Sequence, residues 1–170
     1  ACKYGKPDVV FTEFTNVDAV TREQVAIGWE SNSGNLVAVT VDATNPERVA
    51  FREYTTIWSG ITTVQCAGTM NNARWLALSA NPVSTADDMI LAVGDDGSDL
   101  STCYWNGSTF TNFQAQDTAI DTTTARAFDF AWESSGSTGL LVYVTTVGQI
   151  TYRTFTAPNT WGAATNAAMG

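Results

Sequence analysis

The 170-residue sequence contains no histidine. That one absence removes the Ser-His-Asp triad, the imidazole general base, the His-built zinc site and the histidine pH switch. Basic charge is also scarce: 8 Lys+Arg stand against 17 Asp+Glu, a formal net charge of −9. So few dispersed cations cannot form the stripe whose counterion release drives nucleic-acid binding, which excludes DNA and RNA as partners. Long apolar runs are missing too. Even a run such as Leu140-Leu141-Val142-Tyr143-Val144 is far short of the roughly 20 residues a membrane-spanning helix needs. Cysteine is sparse and odd in number, Cys2, Cys66 and Cys103, with no C-x-x-C spacing; metal clusters and thioredoxin-like chemistry have no support, and at most one internal disulfide can form.

What remains is 44% hydrophobic and 11% aromatic but only 15% charged, enough to build a core and too apolar for a disordered acidic tail. Thr, Ser, Asn, Gly and Ala supply much of the rest, a polarity without charge that suits a secreted or cell-surface β protein. Ala1 fits an N-terminus left by a signal peptidase, and the expected location is extracellular. In an exported protein the preferred disulfide is Cys2–Cys66, both read as lying on outer strands, with Cys103 left as a buried thiol; the alternative is three unpaired cysteines.

Self-similarity organises the chain. Val25-Ala26-Ile27-Gly28-Trp29-Glu30-Ser31, Leu36-Val37-Ala38-Val39, Val49-Ala50-Phe51-Arg52-Glu53-Tyr54 and Trp58 recur as Phe128-Asp129-Phe130-Ala131-Trp132-Glu133-Ser134, Leu140-Leu141-Val142-Tyr143, Ile150-Thr151-Tyr152-Arg153-Thr154-Phe155 and Trp161. A more divergent copy lies between them: Trp75-Leu76-Ala77-Leu78-Ser79, Met89-Ile90-Leu91-Ala92-Val93, Leu100 to Trp105, and Phe110. Arg22, Arg74 and Arg126 open the copies at intervals of 52 residues. Each copy holds four short β-rich runs broken by turn formers such as Ser33-Gly34-Asn35, Asp95-Asp96-Gly97, Asn106-Gly107 and Ala157-Pro158-Asn159. In the third run, Val49 and Phe51 alternate with Ala50, Arg52 and Tyr54, as a half-buried strand demands. The pattern predicts an all-β chain: an N-terminal strand segment at 1–21, then four-stranded antiparallel meanders at 22–73, 74–125 and 126–170, all in one structural domain. A β-sandwich is the alternative.

The Trp-Glu-Ser after the first strand, the Tyr-Arg-Thr-Phe of the third and the Trp opening the fourth resemble the blades of β-propeller repeats in secreted and surface proteins. The resemblance covers about residues 22 to 170 and is architectural. The Gly-His to Trp-Asp pairing of WD40 blades and the Asp box of sialidases are both absent. Propellers close with about four to eight blades, so three copies are too few for a ring. Pro7 to Phe14 adds a surplus strand, whose residues Asp8, Val9, Val10, Phe11, Thr12, Glu13 and Phe14 are read as an assembly strand that pairs with the open edge of a neighbour.

Residues with chemical potential are few. Glu30 and Glu133 share a repeat position, with Asp129 four residues before Glu133; as acid and nucleophile they would suit a glycosidase, but matched positions tend to have matched environments, which argues for strand-end turns. The three repeat Arg residues are read as fasteners between blades, and Arg52 and Arg153 as guanidinium groups stacked beside aromatics. Asp95-Asp96-Gly97-Ser98-Asp99 offers oxygen ligands without EF-hand spacing, and hairpin geometry accounts for it. Asn106-Gly107-Ser108 fits the N-glycosylation pattern at a predicted turn. No metal site and no cofactor are expected. The leading expectation is a non-enzymatic subunit of a surface fibre or assembly, built with copies of itself or adjoining β-repeats. The alternatives are a glycan-binding propeller-like module and a propeller fragment of a carbohydrate-active enzyme.

Overall fold

The computed structural model describes residues 23–66, 68, 70–122 and 125–168. Among these residues there is no helix; Arg22, Cys2 and the segment Asp8 to Phe14 lie outside them. Three antiparallel meanders follow one another. The first runs β1 (Val25–Trp29), β2 (Leu36–Val41), β3 (Val49–Tyr54) and β4 (Thr62–Val64). The second runs β5 (Ala73–Ala80), β6 (Asp88–Asp95), β7 (Leu100–Asn106) and β8 (Phe110–Asp117). The third runs β9 (Phe128–Trp132), β10 (Thr138–Val144) and β11 (Ile150–Thr156), with both β12 (Thr160–Trp161) and β13 (Thr165–Asn166) paired to β11. The thirteenth described strand is therefore the second half of an interrupted fourth strand. The interruption at Gly162 is anchored by its N–H bond to the Thr154 carbonyl at 2.8 Å.

First strands lie innermost: β1 contacts β5, and β5 contacts β9. The middle blade thus has one face toward blade 1 and one toward blade 3, and strand alternation sends successive side chains to opposite faces. Val37, Val39, Val41, Val49 and Phe51 of blade 1 pack on Leu76, Met89, Leu91, Val93, Cys103 and Trp105 of blade 2. On its other face, blade 2 presents Trp75, Ala77, Ile90 and Ala92 to Phe128, Phe130, Leu141, Tyr143 and Phe155 of blade 3. The Val49 and Phe51 alternation read in the sequence holds in space, since both enter this first core while Arg52 and Tyr54 are only half-buried.

The disulfide differs from the expected pairing. Cys66 bonds Cys103, not Cys2, with the Cα atoms 5.3 Å apart and both side chains fully buried. Cys103 lies on the face of β7 that meets blade 1, and the chain leaving β4 brings Cys66 onto the same core. The two are neighbours across the blade interface although 37 residues apart in sequence. In the chain-entropy account, closing a loop of that size stabilises the fold by about 3–4 kcal/mol.

Candidate functional site

The links from first to second strand and from third to fourth gather at one end of the blades. There, the residue that follows each first strand closes onto the start of the second: Glu30 N–H to Asn35 carbonyl at 2.8 Å, Asn81 to Asp88 at 2.9 Å, and Glu133 to Thr138 at 3.0 Å. Glu30, Asn81 and Glu133 are therefore equivalent. In the middle copy the equivalent residue thus lies one position beyond Ala80, the end of β5.

This equivalent residue governs whether the cleft between two blades is shut. Between blades 1 and 2, the Glu30 carboxylate is 2% exposed and accepts the Trp105 indole N–H at 2.6 Å, with Ser33 Oγ donating to its other oxygen. Above it, Asp87 clamps the blade 1 turn, accepting from the backbone N–H of Asn32 at 3.0 Å and of Ser33 at 2.8 Å, and from Asn32 Nδ2 at 3.0 Å. Burial would raise the Asp87 pKa, but these donors outweigh it and hold the carboxyl below its ordinary value. The blade 1–2 cleft is thus filled by a satisfied polar plug.

Between blades 2 and 3 the partner at the Trp105 position is Phe155, which offers no donor. Asn81 turns instead to the backbone, donating to the Gly136 carbonyl at 2.7 Å and accepting from Val83 N–H at 3.1 Å. A groove of about 360 Å³ remains above it, lined by Val83, Ala86, Asp88, Tyr104, Ser135, Ser137 and Pro158 among others. The Asp88 carboxylate accepts from Asn81 Nδ2, at 3.1 Å to each oxygen, and from the Tyr104 hydroxyl. Burial, and then the Asp88 carboxylate beside it, push the Tyr104 phenol up to about 12, so it stays neutral and able to donate. At the rim, Glu133 is exposed, and the hydroxyls of Ser135, Thr138 and Ser137 hold it below the ordinary carboxylate range. The groove therefore combines an anionic acceptor, a neutral phenol and serine hydroxyls with apolar walls.

The other singled-out residues have structural surroundings. Arg126 ion-pairs with Glu23 at 3.3 Å and donates to the Leu76 carbonyl at 3.4 Å, linking three blades near the axis. Arg74 pairs with Asp96 of its own blade at 2.9 Å. Arg52 lies over the Trp58 ring, 5.8 Å from its centre, and Arg153 donates to the Gly162 carbonyl at 3.2 Å. The buried Asp95 carboxylate accepts from the N–H groups of Asn71, Gly97 and Asp99 at 2.8, 2.8 and 2.9 Å, so it organises the turn. Among the described residues no group of three or more His, Cys, Asp or Glu is placed to hold a metal ion. Asn106 is exposed at the β7–β8 turn, its side-chain oxygen accepting from Ser108 and Thr109 N–H. Glu30 lies inside the blade 1–2 interface while Asp129 is exposed on the outer side of blade 3, so these two carboxylates are not brought together. Sequence reasoning missed Asp88 and Tyr104; the one available signal was the change of Trp105 to Phe155 between copies.

The fold defines an all-β protein of three propeller-like blades. It is similar to the crystal structure of BP39L lectin from Burkholderia pseudomallei, with a TM-score of 0.64 and 12% identity over 86% of this chain and 41% of that one. An arginine triple mutant of AofleA from Arthrobotrys oligospora matches at a TM-score of 0.48 and 13% identity, covering 86% of this chain and 42% of that one. The chain thus spans less than half the length of these solved structures. No family model and no curated protein matches the sequence.

Proposed function

We propose that the protein is a non-enzymatic, extracellular glycan-binding module of propeller type. The observation that carries this reading is the groove between blades 2 and 3, where Asp88, Tyr104 and the Ser135 and Ser137 hydroxyls converge beside apolar walls. Sugar rings present hydroxyls that pair with carboxylates and phenols, and C–H faces that rest on apolar or aromatic surface. Among the described residues no ion pair engages Asp88, and such a carboxylate suits a neutral ligand rich in donors rather than an anionic one. The lectin built on a similar fold supports the reading. The buried disulfide fits an oxidising, extracellular setting. A surface role in adhesion follows naturally, with the glycan as partner rather than a pairing strand.

The test is binding to a panel of immobilised mono- and oligosaccharides, followed by calorimetry on any hit. Asp88→Asn and Tyr104→Ala are expected to weaken binding by at least about tenfold each, the scale of one lost hydrogen bond to a charged group. Absence of binding to every sugar at millimolar concentration, or a hit unaffected by both substitutions, overturns the assignment.

A further inference from the structure

The side-chain hydrogens that line the groove between blades 2 and 3 are already spent inside the protein. An amide nitrogen carries two hydrogens. Of those on Asn81 Nδ2, one goes to the Gly136 carbonyl at 2.7 Å and the other is divided between the two Asp88 oxygens at 3.1 Å each. The Tyr104 hydroxyl gives its single hydrogen to Asp88 as well. The hydroxyls of Ser135 and Ser137 both donate to Glu133 Oε1. Several backbone donors are also taken: the N–H groups of Val83, Ala86, Gly136 and Ala157 all bond within the fold. What remains for a ligand is lone pairs, on the Asp88 carboxylate, the Tyr104 oxygen and the two serine oxygens.

Asp88 is also less satisfied than the carboxylates around it. Asp87 and Asp95 each accept three separate N–H bonds, and Asp96 accepts two from Asn72 besides its ion pair with Arg74. Asp88 receives one divided amide hydrogen and one phenol, against about four lone-pair sites that a carboxylate offers. None of the residues lining the groove is a cation, and Glu133 adds a second negative charge at the rim. An ammonium group fits such a set of acceptors: it brings three donors, no acceptor and a full charge, and its bonds to a carboxylate are about twice as strong as neutral ones. A sugar hydroxyl or an acetamido group brings one donor, together with an oxygen that finds no side-chain hydrogen there. Val83, Ala86 and Pro158 supply the apolar wall on which the C–H face of a ring can rest.

We infer that the groove prefers sugars carrying a free primary ammonium group, a hexosamine over the neutral or N-acetylated form of the same ring. The inference rests on the glycan-binding reading of this groove and names the ligand class within it. Neutral sugars reach the same acceptors through their hydroxyls, and the ammonium adds charge to that set of donors.

Calorimetry on the full chain at about pH 6, where a sugar amine carries its proton, tests this with glucosamine, glucose, N-acetylglucosamine and butylammonium. Glucosamine should bind at least about tenfold more tightly than each of the other three. Its affinity, and not that of glucose, should fall about twofold or more when salt is raised from about 0.05 to about 0.5 M. Asp88→Asn exchanges an acceptor for a donor and should bring the ratio of glucosamine to glucose affinity to about one. Asp129→Asn makes the same change in net charge on the outer side of blade 3 and should leave that ratio as it is. The salt series needs no variant, so it decides the matter if Asp88→Asn does not fold by circular dichroism. Equal or tighter binding of glucose or N-acetylglucosamine, or a glucosamine affinity indifferent to salt, overturns the ammonium preference and leaves glycan binding standing. Equal binding of butylammonium, or an equal loss in Asp129→Asn, reduces the effect to general charge attraction and overturns it too. Binding of none of the three sugars at millimolar concentration overturns both readings.

Discussion

The two interfaces inside the array solve the same packing problem with different chemistry. Blades 1 and 2 are joined by aliphatic strands, a buried disulfide and the Glu30–Trp105 hydrogen bond, with Asp87 bracing the turn above. Between blades 2 and 3 the core is aromatic on the blade 3 side, where Phe130, Trp132, Phe155 and Trp161 meet edge-to-face or tilted with ring centres 4.7–6.0 Å apart, and Tyr104 of blade 2 meets Phe155 at 6.3 Å. A buried carboxylate must be fully satisfied, and satisfying Glu30 takes up the mouth of the first cleft. The second interface has no buried charge to satisfy, so its mouth stays open as a groove. Polar closure and ligand access are alternative uses of one position.

Breaking the aromatic side has the largest expected effect. Phe155→Ala removes a ring that is 1% exposed and touches four other aromatics, and should cost about 3–5 kcal/mol in chemical unfolding. The same experiment should show little change in the blade 1–2 disulfide's protection from reductant, since that bond lies in the other core.

Converting the first interface into the second sharpens the contrast. Trp105→Phe strands the Glu30 carboxylate without its indole and should destabilise by about 2–3 kcal/mol. Adding Glu30→Asn reproduces the Asn81 and Phe155 combination and should recover part of the loss, a coupling that a double-mutant cycle reads directly. Additive losses would mean the pair is not coupled.

The smallest effect concerns the clamp. Asp87→Asn should cost about 1 kcal/mol, the partly exposed carboxylate being screened by solvent. Because the folded Asp87 pKa lies below its ordinary 3.8, its contribution is present in full above that value and fades as pH falls through the lower folded value. The wild type should therefore lose more stability than Asp87→Asn between about pH 5 and pH 2, measured by thermal unfolding in low-salt buffers.

Much of this was legible in the chain. The repeat of about 52 residues, the four strands per copy and the alternation of Val49 and Phe51 with Arg52 and Tyr54 follow from short-range pattern, and strand alternation turns that pattern into two faces per blade. The groove was not legible, because Asp88, Tyr104, Ser135 and Pro158 come from two different copies and meet only when the blades stack. That Asn81 is the equivalent of Glu30 was hidden for a related reason: the middle copy lacks the Trp-Glu-Ser run that marks this place in the other two, and only the backbone bond from Asn81 to Asp88 fixes it.

The sequence by itself determined the all-β character and the three four-stranded meanders, since these depend on side-chain periodicity and turn residues a few positions apart. Tertiary structure alone decided which cysteine pairs with Cys66, which carboxylate is buried and which inter-blade cleft stays open. Those outcomes depend on contacts between residues 37, 75 and 55 positions apart, separations over which local pattern carries no information and only the stacking of one sheet on the next sets the distance.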